Sequence, residues 1–570
     1  MGVYSGRPVR GYCPMNLQAT ATLLLLSVAL TSRAQSPSRG TAEPDRHDEC
    51  SVSGMVIKLA GGEPLPGATI DLRAADDRNI RISIATDSGG HFTLKRVTPG
   101  PYRLTVAKNA FVSQEYGQRR PGDPGSILTL HPGQDLRDLV FRLLPSAVIS
   151  GRILDEEGEP LPYVAVNALR EVYTQGKRKL VSQAEFQTND RGEYRLFGLP
   201  PGNYFVSASI PEPGFRAVPH PAELQTGYAR LYYPGVPDAE KAAALHVKSG
   251  EEIPFVEMLM RRLVVYRIRG RVLNQMARFS DRGVNLTLLP RSSKLDRDPN
   301  PNQAHVEPDG SFEIPDVLPG PYVLEAYWFD NNGPHFSRLS LAVSNSDLEG
   351  VSLFLAPGMN IPGHIAWDGP PAVEAAGRLQ VFLGPVEGRA LRGASARVGA
   401  GDLFVFQDLA DGTYRPFVAG QSKDCFIKDV RLGAASVFED GVTVTRGTTP
   451  LTLQITLSSR GARVEGSVVN SDKVPAAGVW VVLVPDANHR GRYDLYKRQT
   501  TDQYGHFLFR GVSPGEYKLF SWEEVENGAW EDPDFLRPFE SKGETVEVKE
   551  SEQKRVDVVA IGVAGSENRP

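Results

Sequence analysis

Four sets of side chains in this 570-residue chain have the types and spacing to do chemistry. His220 and Glu223 stand three positions apart, a spacing at which an imidazole and a carboxylate can share a zinc ion. Asp296, Asp298, Asn300 and Asn302, with Glu307 at the twelfth position, repeat the oxygen spacing of a calcium loop. Cys50 and Cys425 are two thiols, one near the start of the chain and one far along it. The last set is aromatic. Trp522, Trp530 and Phe535 with Asp532, and Tyr327 with Trp328, put flat rings beside carboxylates and amides, a combination suited to stacking on a sugar ring.

Each set also has a plainer reading. His220 and Glu223 lie in a Pro-rich stretch, and a working site needs a third ligand and a substrate-binding Arg held by a rigid sheet. In the acidic segment Pro301 occupies the place where a calcium loop needs Gly, so a polar hairpin loop is expected. The remaining histidines are scattered singly, and no Ser-His-Asp or Cys-His set can be nominated. No metal, no cofactor and no enzymatic activity are therefore expected. For the aromatics the plainer reading is domain-on-domain packing, because such rings are enriched at interfaces of any kind.

The elements that would position these residues are repeats. An aromatic, a Gly eight residues later and a Tyr two beyond recur as Phe92, Gly100, Tyr102 and as Tyr194, Gly202, Tyr204. The third and fourth copies are Phe312, Gly320, Tyr322 and Phe404, Gly412, Tyr414, and the fifth is Phe507, Gly515, Tyr517. Gly90, Gly192, Gly310 and Gly505 precede the aromatic by two, whereas the fourth copy has Asp402 there and is degenerate. Each copy opens on a Gly followed two residues on by an aliphatic: Gly54, Gly151, Gly270, Gly363 and Gly466. Segments such as Tyr102-Arg103-Leu104-Thr105-Val106 alternate with period two, as half-buried strands do. Thr98-Pro99-Gly100-Pro101 reads as a type II turn with Gly supplying positive φ. The aromatic and the Tyr then meet on a core face. The best short helix candidate spans 238–246.

The fold class expected is all-β, with five tandem β-sandwich domains at 51–145, 146–264, 265–357, 358–460 and 461–563. The second carries a C-terminal insertion, and a linker (35–50) and a tail (564–570) flank the array. Arg7 and Arg10, the apolar run from Ala21 to Leu30, and Ser32-Arg33-Ala34 read as a secretory signal peptide over 1–34. No later segment is apolar enough to anchor the chain once the signal is removed. The destination expected is periplasmic or extracellular. A net charge of −5 excludes a strongly basic nucleic-acid binder, and three Cys exclude a disulfide framework.

Gly54-x-Val56, Pro64-Leu65-Pro66-Gly67-Ala68, Thr86-Asp87-x-x-Gly90-x-Phe92 and Pro99-Gly100-x-Tyr102 resemble the carboxypeptidase regulatory-like domain. Thr188-Asn189-Asp190-Arg191-Gly192, Tyr232-Tyr233-Pro234-Gly235 and Gly528-Ala529-Trp530 look like secreted bacterial proteins built from tandem copies of it. The resemblance implies a transthyretin-like or Ig-like sandwich, related to the carbohydrate-binding-like fold, and a domain that does no chemistry itself. The function it implies is a non-catalytic exported scaffold or binding protein of the bacterial cell envelope, with an envelope protein or polysaccharide as partner. The alternative is a carbohydrate-binding protein acting through aromatic loops at the sandwich ends. A more remote one is a zinc carboxypeptidase-related enzyme, whose site has the His-x-x-Glu spacing of His220 and Glu223. Whether Cys50 and Cys425 pair depends on whether the domains form a rod or pack together.

Overall fold

In the computed structural model the described residues are 48–562, except 76–78, 211–225, 275–282, 292–293, 296–300, 331–332, 373–378, 387–392 and 446–450. The signal peptide, the His220–Glu223 pair and most of the acidic loop lie outside them.

The first repeat shows how the sequence pattern becomes a sandwich. Strand Cys50–Lys58 runs antiparallel to His91–Val97 and parallel to Asp135–Leu143. Facing this sheet, Arg81–Ala85, Thr69–Ala74 and Gly100–Ala107 form a second one, extended by Gln114–Glu115 and Leu128–Leu130. Period-two alternation points Val52, Val56, Phe92 and Leu94 of one sheet at Ile70, Leu72, Tyr102 and Leu104 of the other, all buried. Each such side chain stabilises the domain by about 1.5–3 kcal/mol.

Buried cores of this kind span residues 50–143, 147–260, 268–355, 361–457 and 462–561. The third differs in having a single seven-stranded sheet, because His335 and Phe336 of the long strand Gly333–Val343 pair with Pro357 and Ala356. In the fourth, Phe426–Leu432 joins the sheet of the opening strand. The chain is all-β; the α-helix among the described residues is the single turn Pro533–Leu536. None of the described helices is long and apolar enough to cross a membrane.

The recurring residues have separable jobs. A Cβ on the opening glycines Gly54, Gly151, Gly270 and Gly466 would lie 1.9–2.1 Å from a carbonyl oxygen of the last strand, which bulges toward the first. That approach leaves no room for a side chain. Asp87, Asn189 and Asp502 hold the turn before the aromatic, each carboxylate or amide oxygen accepting two backbone N–H groups. In the degenerate fourth repeat Asp402 adopts φ 59, against 67–85 for its glycine counterparts, so Asp fills the left-handed position that Asp tolerates best. The aromatics are buried, and every repeat tyrosine donates its hydroxyl to the carbonyl four residues back, at 2.7–3.0 Å. This bond ties the rim of the hairpin to its own entry.

Two expectations need correction. The closing glycines have φ 148–158 rather than the roughly +80° of a type II turn. The left-handed residue instead sits four positions earlier, at Arg96, Gly198, Asp316, Asp408 and Gly511, where a bulge shifts the strand register. The segment 238–246 is no helix: only Ala239–Lys241 makes a 3-10 turn, capped by Asp238. The backbone then enters the strand Leu245–Val247.

Candidate functional site

The aromatic residues of the fifth repeat belong to a 21-residue insertion between Gly515–Trp522 and Glu544–Val548. Its two 3-10 turns and short helix fold back over the outer face of their own sheet. Asp532 caps the helix, its carboxylate accepting from Asp534 N at 2.9 Å. Trp522 and Trp530 are then 2% and 0% exposed. Trp480 and Trp530 lie 4.8 Å apart, and Phe520 stacks on Trp522 at 5.2 Å. These two tryptophans form a second core of the domain and present no face to a sugar. Phe535 is half-buried over them, 6.4 Å from Trp522.

The third-repeat residues are also drawn inward. Their expected loop is the end of strand Gly320–Asp330, so alternation buries Trp328 against His335 at 4.9 Å and leaves Tyr327 half-buried on Phe336 at 5.4 Å. The next ring along the strand, Phe329, is well exposed.

What the insertion does touch is another repeat. The hairpin Ala165–Thr174 and Lys177–Gln187 of the second sandwich carries its tip onto it. The Tyr173 ring packs 6.5 Å from Phe535, and Tyr493 of the fifth repeat donates its hydroxyl to Gln175 O at 2.9 Å. Gly176 has to be Gly here, because a Cβ would come 2.4 Å from Glu531 O.

The first repeat docks on the same domain. Gln503 Oε1 accepts from Thr129 N at 3.0 Å and Gln503 Nε2 donates to Thr129 O at 2.7 Å. Thr500 Oγ1 donates to Gly125 O at 2.7 Å, and Arg119 Nε to Ala477 O at 3.1 Å. Around this three-way junction burial pushes the Asp123 carboxyl up to about 6 and raises those of Glu526 and Glu531. Arg498, 2.8 Å from Glu531, offsets part of that rise.

Fourth and fifth repeats are joined by ion pairs. Asp424 receives both Arg510 and Arg463, and the Arg510 guanidinium first among them holds its carboxyl well below the usual range. Arg492, 4% exposed, forks onto Asp494, reaches Glu439 at 2.9 Å and lies 4.1 Å over the Phe438 ring. Exposed ion pairs contribute little net stability, but the buried Arg492 guanidinium would be stranded without its carboxylates, which favours this one arrangement.

Cys50 and Cys425 are both free and buried, with Cys50 Sγ donating to His131 O at 3.0 Å. Among the described residues no group of three or more His, Cys, Asp and Glu side chains is placed to hold a metal ion.

Residues 51–143 and 148–226 match the carboxypeptidase regulatory-like domain family. BOS complex subunit NOMO1 of Mus musculus is 25% identical over 174 residues, which are 30% of this chain and 13% of that protein. Among solved structures, the Bacillus anthracis TIE protein aligns over 54% of this chain and 51% of its own, at 13% identity and a TM-score of 0.16. GBS52, the minor pilin of Streptococcus agalactiae, aligns over 38% and 96%, at 10% identity and a TM-score of 0.21. Both matched segments of this chain open on the Gly-x-aliphatic strand and contain the aromatic–Gly–Tyr hairpin described above. The first two repeats of the chain are therefore carboxypeptidase regulatory-like domains in tandem.

Proposed function

We propose that this protein is a non-catalytic, exported scaffold of the bacterial cell envelope, whose sandwiches hold one fixed mutual arrangement. The observation that carries this reading is the use made of the fifth repeat. Its Phe535, its Thr500–Gln503 turn and its Arg492 all make contacts to other repeats. A chain that engages its last domain with its first, second and fourth spends loop surface on rigidity, which a spacer or platform requires. Export rests on the charged, then apolar, then small-residue order of 1–34.

The test pairs two measurements on the purified full-length chain. Small-angle scattering should give one compact profile that Gln503→Ala combined with Tyr173→Ala opens. Peptidase, esterase and glycosidase substrates should be left intact. Hydrolysis that disappears in His220→Ala or Glu223→Ala would replace this reading with the zinc-enzyme one.

A further inference from the structure

Beyond the scaffold reading, we propose that a groove between the fourth and fifth sandwiches binds a neutral hexose oligosaccharide. Its base is the outer face of the sheet formed by Ala394–Arg397, Gln380–Pro385, Gly412–Ala419 and Val442–Val444. Phe382 and Phe417 are register partners on adjacent strands, so both point outward, with ring centroids 6.0 Å apart. Phe417 is 60% exposed. Tyr493 of the fifth repeat, 36% exposed, borders the same space, with Gln175 of the second repeat beside it. The cavity so bounded measures about 690 Å³.

Gly384 lies in the base next to these rings. A Cβ there would meet nothing closer than Arg415 O at 4.0 Å, so this glycine relieves no clash. Its effect is to leave bare backbone where a ligand can lie flat against the sheet.

The polar rim decides the ligand class. Among the described residues, the charged ones bordering the groove are Arg415 and Asp494, 4.0 Å apart and opposite in sign. The balance suits an uncharged ligand; an acidic glycan or a phosphate would want surplus positive charge. Both are held in place before any ligand arrives. Asp494 is forked by Arg492, and Arg415 donates to Phe438 O and Glu439 O at 3.4 and 3.1 Å. Exposed aromatic faces with fixed donors and acceptors at the edge match a pyranose, whose ring has an apolar C–H face and a rim of hydroxyls. The volume falls in the range of about 300–1,000 Å³ typical of small-ligand sites. A stable protein partner would want nearer ~800 Å² of contact per side.

Isothermal titration of the full chain with cellopentaose, maltopentaose and laminaripentaose tests this, with a polygalacturonate oligomer and a Pro-rich peptide as competing classes. At least one neutral pentasaccharide should bind. Phe417→Ala and Tyr493→Ala should each weaken it by about tenfold or more, while Tyr493→Phe, which keeps the ring, retains it. Phe417 is solvent-exposed, so a thermal melt of Phe417→Ala should match the parent. Binding of none of the three sugars, binding indifferent to both alanine variants, or Phe417-dependent binding of the acidic oligomer or the peptide instead would overturn the proposal. None of these outcomes touches the scaffold reading, which scattering tests separately.

Discussion

Gln503 clasps Thr129 as a neighbouring strand would, its amide oxygen accepting from the Thr129 N–H and its amide nitrogen donating to the Thr129 carbonyl. The two residues lie 374 positions apart and join the fifth repeat to the first. A net hydrogen bond is worth about 1 kcal/mol, so Gln503→Ala should weaken this docking by about 1–2 kcal/mol. The loss should appear as a roughly tenfold drop in amide-exchange protection across Leu128–Leu130, with the core of each repeat unaffected. Unchanged protection at Thr129 would mean that the clasp carries no weight.

Gly466 tests the account of the opening glycines. Its added Cβ would lie 1.9 Å from Val556 O, a backbone atom that cannot rotate aside. Gly466→Ala should therefore cost about 3 kcal/mol, the upper end of overpacking, despite the usual entropic benefit of Ala. Gly384→Ala, with open space around it, should be nearly neutral. Urea midpoints of the two variants compare them directly. Equal effects would show that proximity to the last strand is not what selects Gly.

The contrast between these glycines and the tryptophans shows what the sequence could reveal. Gly54, Asp87, Phe92 and Tyr102 act within one hairpin or on the strand beside it, so spacing and turn chemistry expose their roles. The bulge residues Arg96, Asp316 and Asp408 carry no compositional mark, whereas the closing Gly beside Pro carries a strong turn signal without adopting that turn. Trp522 and Trp530 are buried by an insertion that folds back on its own sheet and by Tyr173, some 350 residues away. Such contacts leave no period to read. Phe382, Phe417 and Tyr493 carry no signal in the sequence for the same reason: two lie mid-strand and the third in a turn, and only assembly brings them to one groove.

Trp530→Ala follows from that burial. Removing a fully buried indole from between Trp480 and Trp522 should destabilise the fifth repeat by about 3–5 kcal/mol. Trp530→Phe should cost less: among the described residues the indole N–H has no acceptor, so only ring area is lost. Chemical denaturation followed by tryptophan fluorescence reads both. An alanine variant of parental stability would place this ring at the surface and restore it as a ligand contact.

Asp123 gives the junction a dependence on pH. Burial raises its carboxyl from an ordinary value of 3.8 to about 6, among Arg120, Arg170, Glu524 and Glu526. The folded chain therefore binds this proton more tightly than the unfolded chain does. Its contribution is most favourable below the unfolded value and turns unfavourable as pH rises through the folded one. Glu526 and Glu531, raised by the same cause, act in the same direction. Asp123→Asn removes the charge that burial penalises, so it should raise the melting temperature at pH 8 and leave it unchanged at pH 3. Most of the difference should develop across the interval between those two carboxyl values. A variant that melts lower at pH 8 would mean that attraction to Arg120 and Arg170 outweighs desolvation, making Asp123 a strut of the junction.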